Sequence, residues 1–158
     1  MRRIDPSIAD AIFRLFFSSI FILLGGEHLV DDTLIQHIMP LWVPAKRLVS
    51  LLSGVILLTG GIGIATGFML RAAATLLGCF LVVVTLFVHV PGMFMIPAQL
   101  PSDAHWLWDV FQRSNFIKNV CLLGVCVHLL THEPGRFTLA RTLSRFKAAR
   151  RGSGSVES

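Results

Sequence analysis

Four ionisable side chains stand where long apolar runs end: Glu27, His28, His89 and Lys118. An imidazole exchanges protons near neutral pH, and with an ammonium and a carboxylate nearby it can hydrogen-bond and protonate a polar group brought in from outside. Asn119 adds an amide beside Lys118, and Arg14 adds a guanidinium near the start of the first apolar run. Other chemistries are poorly supplied. Cys79, Cys121 and Cys126 form no Cys-x-x-Cys pair and share no metal-ligand spacing with the histidines. Each lies inside an apolar run, where a thiol behaves as a small buried hydrophobe. Two histidines on separate helices fall short of the three or four ligands that a metal site takes. No metal is expected.

The elements that position these groups follow from solvation. Of the 158 residues 54% are hydrophobic and 15% charged, against roughly 25% charged in soluble domains, and the mean hydropathy is +0.72. Water is a poor solvent for such a surface and lipid a good one. The net charge of +5 does not suggest nucleic acid, because the basic residues gather near the chain ends and leave the apolar runs clean. The clearest run lies between Arg47 and Arg71. At ~1.5 Å per residue it is long enough to cross a ~30 Å hydrocarbon core. The expected spans cover about residues 12–30, 48–70, 72–90 and 116–131, the first opened by Asp5 as an N-cap with Pro6 in the first helical position. Pro91-Gly92 should stop the third, and Glu133-Pro134-Gly135 the fourth. Arg14 and Lys118 lie near span ends, where long side chains reach the headgroups.

The fold class expected is therefore all-α: an integral membrane four-helix bundle in the cell's inner membrane, with residues 1–135 as the membrane domain. Arg2, Arg3, Arg71 and the basic residues from Arg136 to Arg151 outnumber Lys46, Arg47, Arg113 and Lys118 on the other side. That asymmetry places both termini in the cytoplasm. Residues 136–158 read as a basic amphipathic tail with a disordered end. Residues 90–115 read as a long outer connection carrying Trp106 and Trp108, as Trp42 does in the first connection.

Helical spacing groups the polar residues into stripes: Arg14, Ser18, Gly25 and His28 on the first helix; Thr75, Gly78, Thr85 and His89 on the third; Lys118, Cys121, Val125 and His128 on the fourth. With alternating direction, Glu27, His28, His89, Lys118 and Asn119 come to the outer level. There they could surround a pocket roofed by the connection that carries Trp106 and Trp108, with His37, His105 and Asp109 as contributors. The plain alternative is that these groups lie at the interface because water is near, and that His128 simply bonds a neighbouring helix. The second helix is rich in glycine, and Gly63-x-x-x-Gly67 permits close helix packing or a dimer face.

Several short motifs in a fixed order resemble the DoxX family of small four-helix membrane proteins, including DoxX-like and DoxD-like members. They are Phe13-Arg14-Leu15, Gly25-Gly26-Glu27-His28, Pro40-Leu41-Trp42-Val43-Pro44, Ser53-Gly54 with Gly60-Gly61, Arg71-Ala72-Ala73, His89-Val90-Pro91, and the stretch from Asn119 to Gly124. The resemblance spans about residues 13–130. Leu57 stands where many members carry a carboxylate, and Glu27-His28 stands where helix one often ends Gly-x-x-Lys. The resemblance implies a membrane subunit that supports a redox process beside a partner oxidoreductase, more a non-catalytic subunit than a stand-alone enzyme. Quinone is the cofactor it suggests, and a homo-oligomer is a further expectation. His28, His89 and Lys118 would hydrogen-bond a quinone oxygen, with Phe87, Phe94 and Trp106 flanking the ring. Two readings of other kinds stand beside it: a transporter or lipid-binding module, and a scaffold that anchors a partner through its basic tail.

Overall fold

The computed structural model describes residues 4–98, 100–139, 141–142 and 144. Among them the regular elements are all helices: α1 Pro6–Val30, α2 Thr33–Ile38, α3 Lys46–Thr66, α4 Leu70–Gly92 and α5 His105–Leu129. Arg2 and Arg3, and residues 145–158 of the expected amphipathic tail, lie outside the described residues.

The start of α1 follows from its cap. The Asp5 carboxylate accepts from the Ser7 N–H at 2.8 Å and Pro6 fills the first helical position, where its missing N–H costs nothing. The helix thus begins before residue 12, the expected edge of the span. Lys46 opens α3 and reaches back to the carbonyls of Gln36 and Met39, at 3.1 and 2.9 Å, so that one ammonium joins the end of α2 to α3.

The span expected over 48–70 is cut short. Gly67 adopts φ +64° and ends α3 at Thr66, a left-handed conformation that costs other L-residues roughly 1–2 kcal/mol. Gly67 therefore makes a turn, and the Gly63-x-x-x-Gly67 packing motif does not operate as one. Gly63 packs against Ala73 of α4, while Gly67 lies against the side chains of Arg14 and Thr138.

Pro91 does not stop α4. It lacks an N–H, and its ring crowds the carbonyl four residues back. The helix accommodates it by widening: Thr85–His89 form a π-helical turn in which the Val90 N–H bonds to the Thr85 carbonyl, and α4 continues to Gly92. The larger correction concerns α5. Residues 105–115, read from sequence as loop, are helix, so α5 runs for 25 residues instead of spanning 116–131. Trp106 and Trp108 sit in its first turns, and the connection before it shrinks to a proline-containing segment and a short 3-10 turn at Ser102–Ala104.

Long helices adjacent in sequence pack side by side, α1 chiefly on α3, α3 on α4, and α4 on α5. All four contribute to the core: Phe17 and Phe21, Leu57 and Ile64, Ala74, Leu77 and Leu81, then Cys126 and Leu129. Glycines set the approach distance. A Cβ on Gly25 would meet the Gly54 carbonyl at 3.0 Å, and one on Gly60 would overlap the Leu77 side chain. The outward faces are apolar, with Phe16 78% and Leu23 68% exposed. That is the inverse of a water-solvated helix, which would turn such faces inward. Among the described residues three helices, α1, α3 and α4, are long and apolar enough to cross a membrane.

Gly60→Ala should therefore lower stability by about 1–3 kcal/mol through overpacking against Leu77. Gly124, whose Cβ direction is open for 4 Å, should accept alanine with no loss, gaining up to about 1 kcal/mol of helix propensity. Thermal unfolding of the two variants in the same micelles checks the contrast.

Candidate functional site

α1, α3, α4 and α5 alternate in direction. One end of the molecule, the near end, therefore gathers the start of α1, the end of α3 and the chain leaving α5. The far end gathers the end of α1, the starts of α3 and α5, and the π-helical end of α4.

At the near end Arg14 is 1% exposed, so it does not reach out to headgroups. Its Nε donates to Asp10 Oδ2 at 3.0 Å, Nη1 to the Ala65 carbonyl at 2.8 Å and the Ile64 carbonyl at 3.3 Å, and Nη2 to the Phe137 carbonyl. A planar fork with five N–H donors suits this arrangement. The Ile64 and Ala65 carbonyls belong to the last turn of α3, where they carry the negative end of the helix dipole and Ile64 also accepts the Gly67 N–H at 3.1 Å. Asp10 completes the node: its Oδ1 lies 2.7 Å from His132 Nε2 and its Oδ2 accepts the Gly135 N–H at 3.0 Å. Arg136 pairs with Asp5 nearby. One buried ion pair thus joins α1, α3 and residues 132–137. Arg14 ties α1 to α3 and to the chain beyond α5.

The far-end candidates separate into two pairs. His28 Nδ1 lies 2.9 Å from Ser50 Oγ, linking α1 to α3. His89 Nδ1 lies 2.8 Å from Gln112 Oε1, linking α4 to α5. The amide oxygen can only accept, so His89 Nδ1 carries the proton and, in the neutral ring, Nε2 is left as an acceptor. Deeper along the same interface, Asn119 Nδ2 donates to Thr85 Oγ1 at 3.1 Å, with both side chains buried. Thr85 and His89 bound the π-helical turn, so the widened backbone presents both to α5. Lys118 is half-buried, donates to Asn115 Oδ1 at 2.6 Å, and lies within electrostatic range of His89. Glu27 is exposed, as is Trp106 at 67%. Asp31, in the connection after α1, is held below the usual carboxylate range by hydrogen bonding to Thr33.

A cavity of about 370 Å³ opens at this end. Trp42 and Trp108 line it together with Met39, Pro40, Pro91, Met95, Pro97 and His37. Trp108 is fixed by donating its indole N–H to the Gly92 carbonyl at 2.9 Å. Gln112, 1% exposed, reaches the cavity from below, and it fits only because position 92 is glycine, where a Cβ would come within 2.6 Å of the amide. Phe87, Phe94 and Trp106, the aromatics expected to flank a ligand, are exposed and do not line the cavity. Neither do His105 and Asp109, the latter paired with Arg113.

The stripes also shift. On α5 the buried residues are Gln112, Asn119, Cys126 and Leu129, while Cys121 and His128 are exposed. The His128 ring rests against His132 at 5.6 Å between centroids in place of a bond to another helix. Thr75 faces outward and bonds the Arg71 carbonyl of its own helix. Sequence reading missed Asp10, Ser50, Gln112 and His132, and it places Trp108 in a roofing loop where the structure makes it a helical cavity wall. The signal available for Gln112 was its heptad step to Asn119 and Cys126, which puts two amides on one face. Among the described residues no three His, Cys, Asp or Glu side chains converge on a metal-sized site.

The described residues, all-helical in their regular structure with three membrane-length apolar helices and interhelical polar pairs, have the character of a membrane protein. The DoxX family model matches residues 9–90, just over half the chain, and this protein belongs to the DoxX family. The match covers α1 to the π-helical turn; α5, which supplies Gln112 and Asn119, lies beyond it. No curated protein and no solved structure matches the chain significantly.

Arg14→Ala should cost about 3–5 kcal/mol, because it removes the guanidinium paired with buried Asp10 and takes that donor from the Ala65 and Phe137 carbonyls. Arg14→Lys should recover only part of this, since an ammonium cannot span the carboxylate and three carbonyls. Denaturation in micelles measures the loss, and limited proteolysis should show residues 132–137 opening in both variants.

Proposed function

We propose that this DoxX protein is a membrane subunit that holds a quinone-type lipid in its far-end cavity and presents it to a partner oxidoreductase. The observation that carries the reading is Gln112: a buried amide that lines an indole- and proline-walled cavity, with its oxygen committed to His89 and its NH₂ without a protein partner among the described residues. Pockets for flat apolar ligands combine such walls with a few fixed polar groups. The Gln112 NH₂ would donate to a ring carbonyl, and Trp42 and Trp108 would bound the ring. His89, the nearest titratable group behind Gln112, would exchange protons as the ring gains or loses them. The electrons belong to the partner enzyme.

The surrounding arrangement supports a fourth crossing by α5. Its polar first half turns Gln112 and Asn119 onto α4, so lipid need not solvate them. With α5 across the bilayer the chain is a four-helix bundle in the cell's inner membrane. Arg2, Arg3, Arg71 and the basic residues from Arg136 to Arg151 outnumber Lys46, Arg47, Arg113 and Lys118, an asymmetry that supports cytoplasmic termini by the positive-inside rule. The far-end cavity then opens on the outer leaflet.

Gentle purification followed by solvent extraction and chromatography tests the proposal. Wild-type protein should yield quinone in near-equal proportion to the chain. Gln112→Ala should retain roughly tenfold less, the effect of about one lost hydrogen bond, with Trp108→Ala also depleted. Folded wild-type protein without quinone, or equal retention in Gln112→Ala, would count against it.

A further inference from the structure

A second cavity, of about 500 Å³, opens at the near end between the turn joining α3 to α4 and the chain that follows α5. Arg71 enters it from the start of α4 and His132 and Arg141 from the chain after α5, and Glu133 is the one carboxylate among the described residues lining it. The other carboxylates of this end are already committed, Asp5 to Arg136 and Asp10 to Arg14, His132 and the Gly135 N–H. Among the described residues neither the Arg71 nor the Arg141 guanidinium has a carboxylate partner, whereas Arg14, Arg113 and Arg136 each have one. The cavity is therefore short of negative charge.

Its backbone points the same way. Leu70, Arg71 and Ala72 line the cavity and form the first turn of α4, which has no side-chain cap. The first backbone bond of that helix comes from the Ala73 N–H to Met69, so the three preceding N–H groups have no helical acceptor. The cavity also lies on the connection between two membrane-length helices, which fixes it at headgroup depth. An anion reaching it there is carried most simply by lipid.

We propose that this cavity is a headgroup site for an anionic phospholipid, with Arg71 and Arg141 gripping the phosphate and the start of α4 supplying backbone donors. Guanidinium forks match phosphate oxygens in pairs, and basic pockets between helices on the cytoplasmic side suit such headgroups. The site rests on the membrane reading alone and stands whether or not the far-end cavity holds a quinone.

Native mass spectrometry of full-length protein tests it, using detergent micelles doped with phosphatidylglycerol, with phosphatidylcholine, or with inorganic phosphate added as competitor. Wild-type protein should retain phosphatidylglycerol in preference to phosphatidylcholine. Arg71→Gln combined with Arg141→Gln should reduce that preference on the order of tenfold, and Arg47→Gln at the far end should leave it intact. Retention by the wild type should also weaken as salt rises toward ~1 M, where the screening length falls to about 3 Å. Equal retention of the two lipids by wild type, an unchanged preference in the double variant, or displacement of the lipid by millimolar inorganic phosphate would overturn the proposal. Should the double variant not fold, the lipid comparison and the phosphate competition on wild type decide the matter.

Discussion

In hydrocarbon a polar side chain has no solvent to bond, so every such group on a membrane helix must find a partner inside the protein or reach the headgroup region. That constraint organises this molecule. Arg14, Ser18, Ser50, Thr85, Gln112 and Asn119 are all buried, and their hydrogen bonds either join one helix to another or return to their own backbone. Apolar packing between helices gains little over packing against lipid tails. The polar pairs and the glycine contacts therefore decide which helix faces which.

The two ends use this currency differently. At the near end a buried Arg14–Asp10 pair fastens the chain beyond α5 to the ends of α1 and α3. Breaking such a pair from one side strands a charge, so this end should behave as a rigid clamp. At the far end the His28–Ser50 and His89–Gln112 bonds join imidazole to hydroxyl or amide, and a space is left between the helices and their loops. Pro91 contributes to that space by its chemistry: the wider turn it imposes aims Thr85 and His89 at α5, and Gly92 after it leaves room for Gln112. Turns of this kind recur at functional sites.

Much of this was legible in the residues, and the misreadings share one cause. The apolar runs marked α1, α3 and α4, the Asp5-Pro6 cap was readable directly, and the Arg14–Ser18–Gly25 stripe faces inward as its spacing requires. α5 was truncated because Gln112, Arg113, Ser114 and Asn115 look like loop to any reading based on apolar density. Once the amides pair with α4 they cost little in a helix, and pairing across helices is invisible in a single sequence. The α5 stripe was misplaced by weighting ionisable Lys118 and His128 over uncharged Gln112 and Asn119, although amides are the easier groups to satisfy in a buried interface. Arg14 was given to the headgroups because its acceptors are carbonyls fifty and more residues away, and no side-chain pattern reports a carbonyl. Gly67 served equally well as a packing or a turn residue on spacing alone, and only its positive φ separates the two.

The account turns on which solvent surrounds the outward faces, and the native cysteines report on it. Cys79 and Cys121 are exposed on the outer faces of α4 and α5, while Cys126 is buried in the core. A charged, membrane-impermeant thiol reagent applied to intact and then to detergent-denatured membranes reads the solvent at each. If lipid covers those faces, none of the three should react until denaturation, after which all three should. Rapid labelling of Cys79 or Cys121 in intact membranes would mean that water wets those faces, and the helices would then have to be placed outside the bilayer.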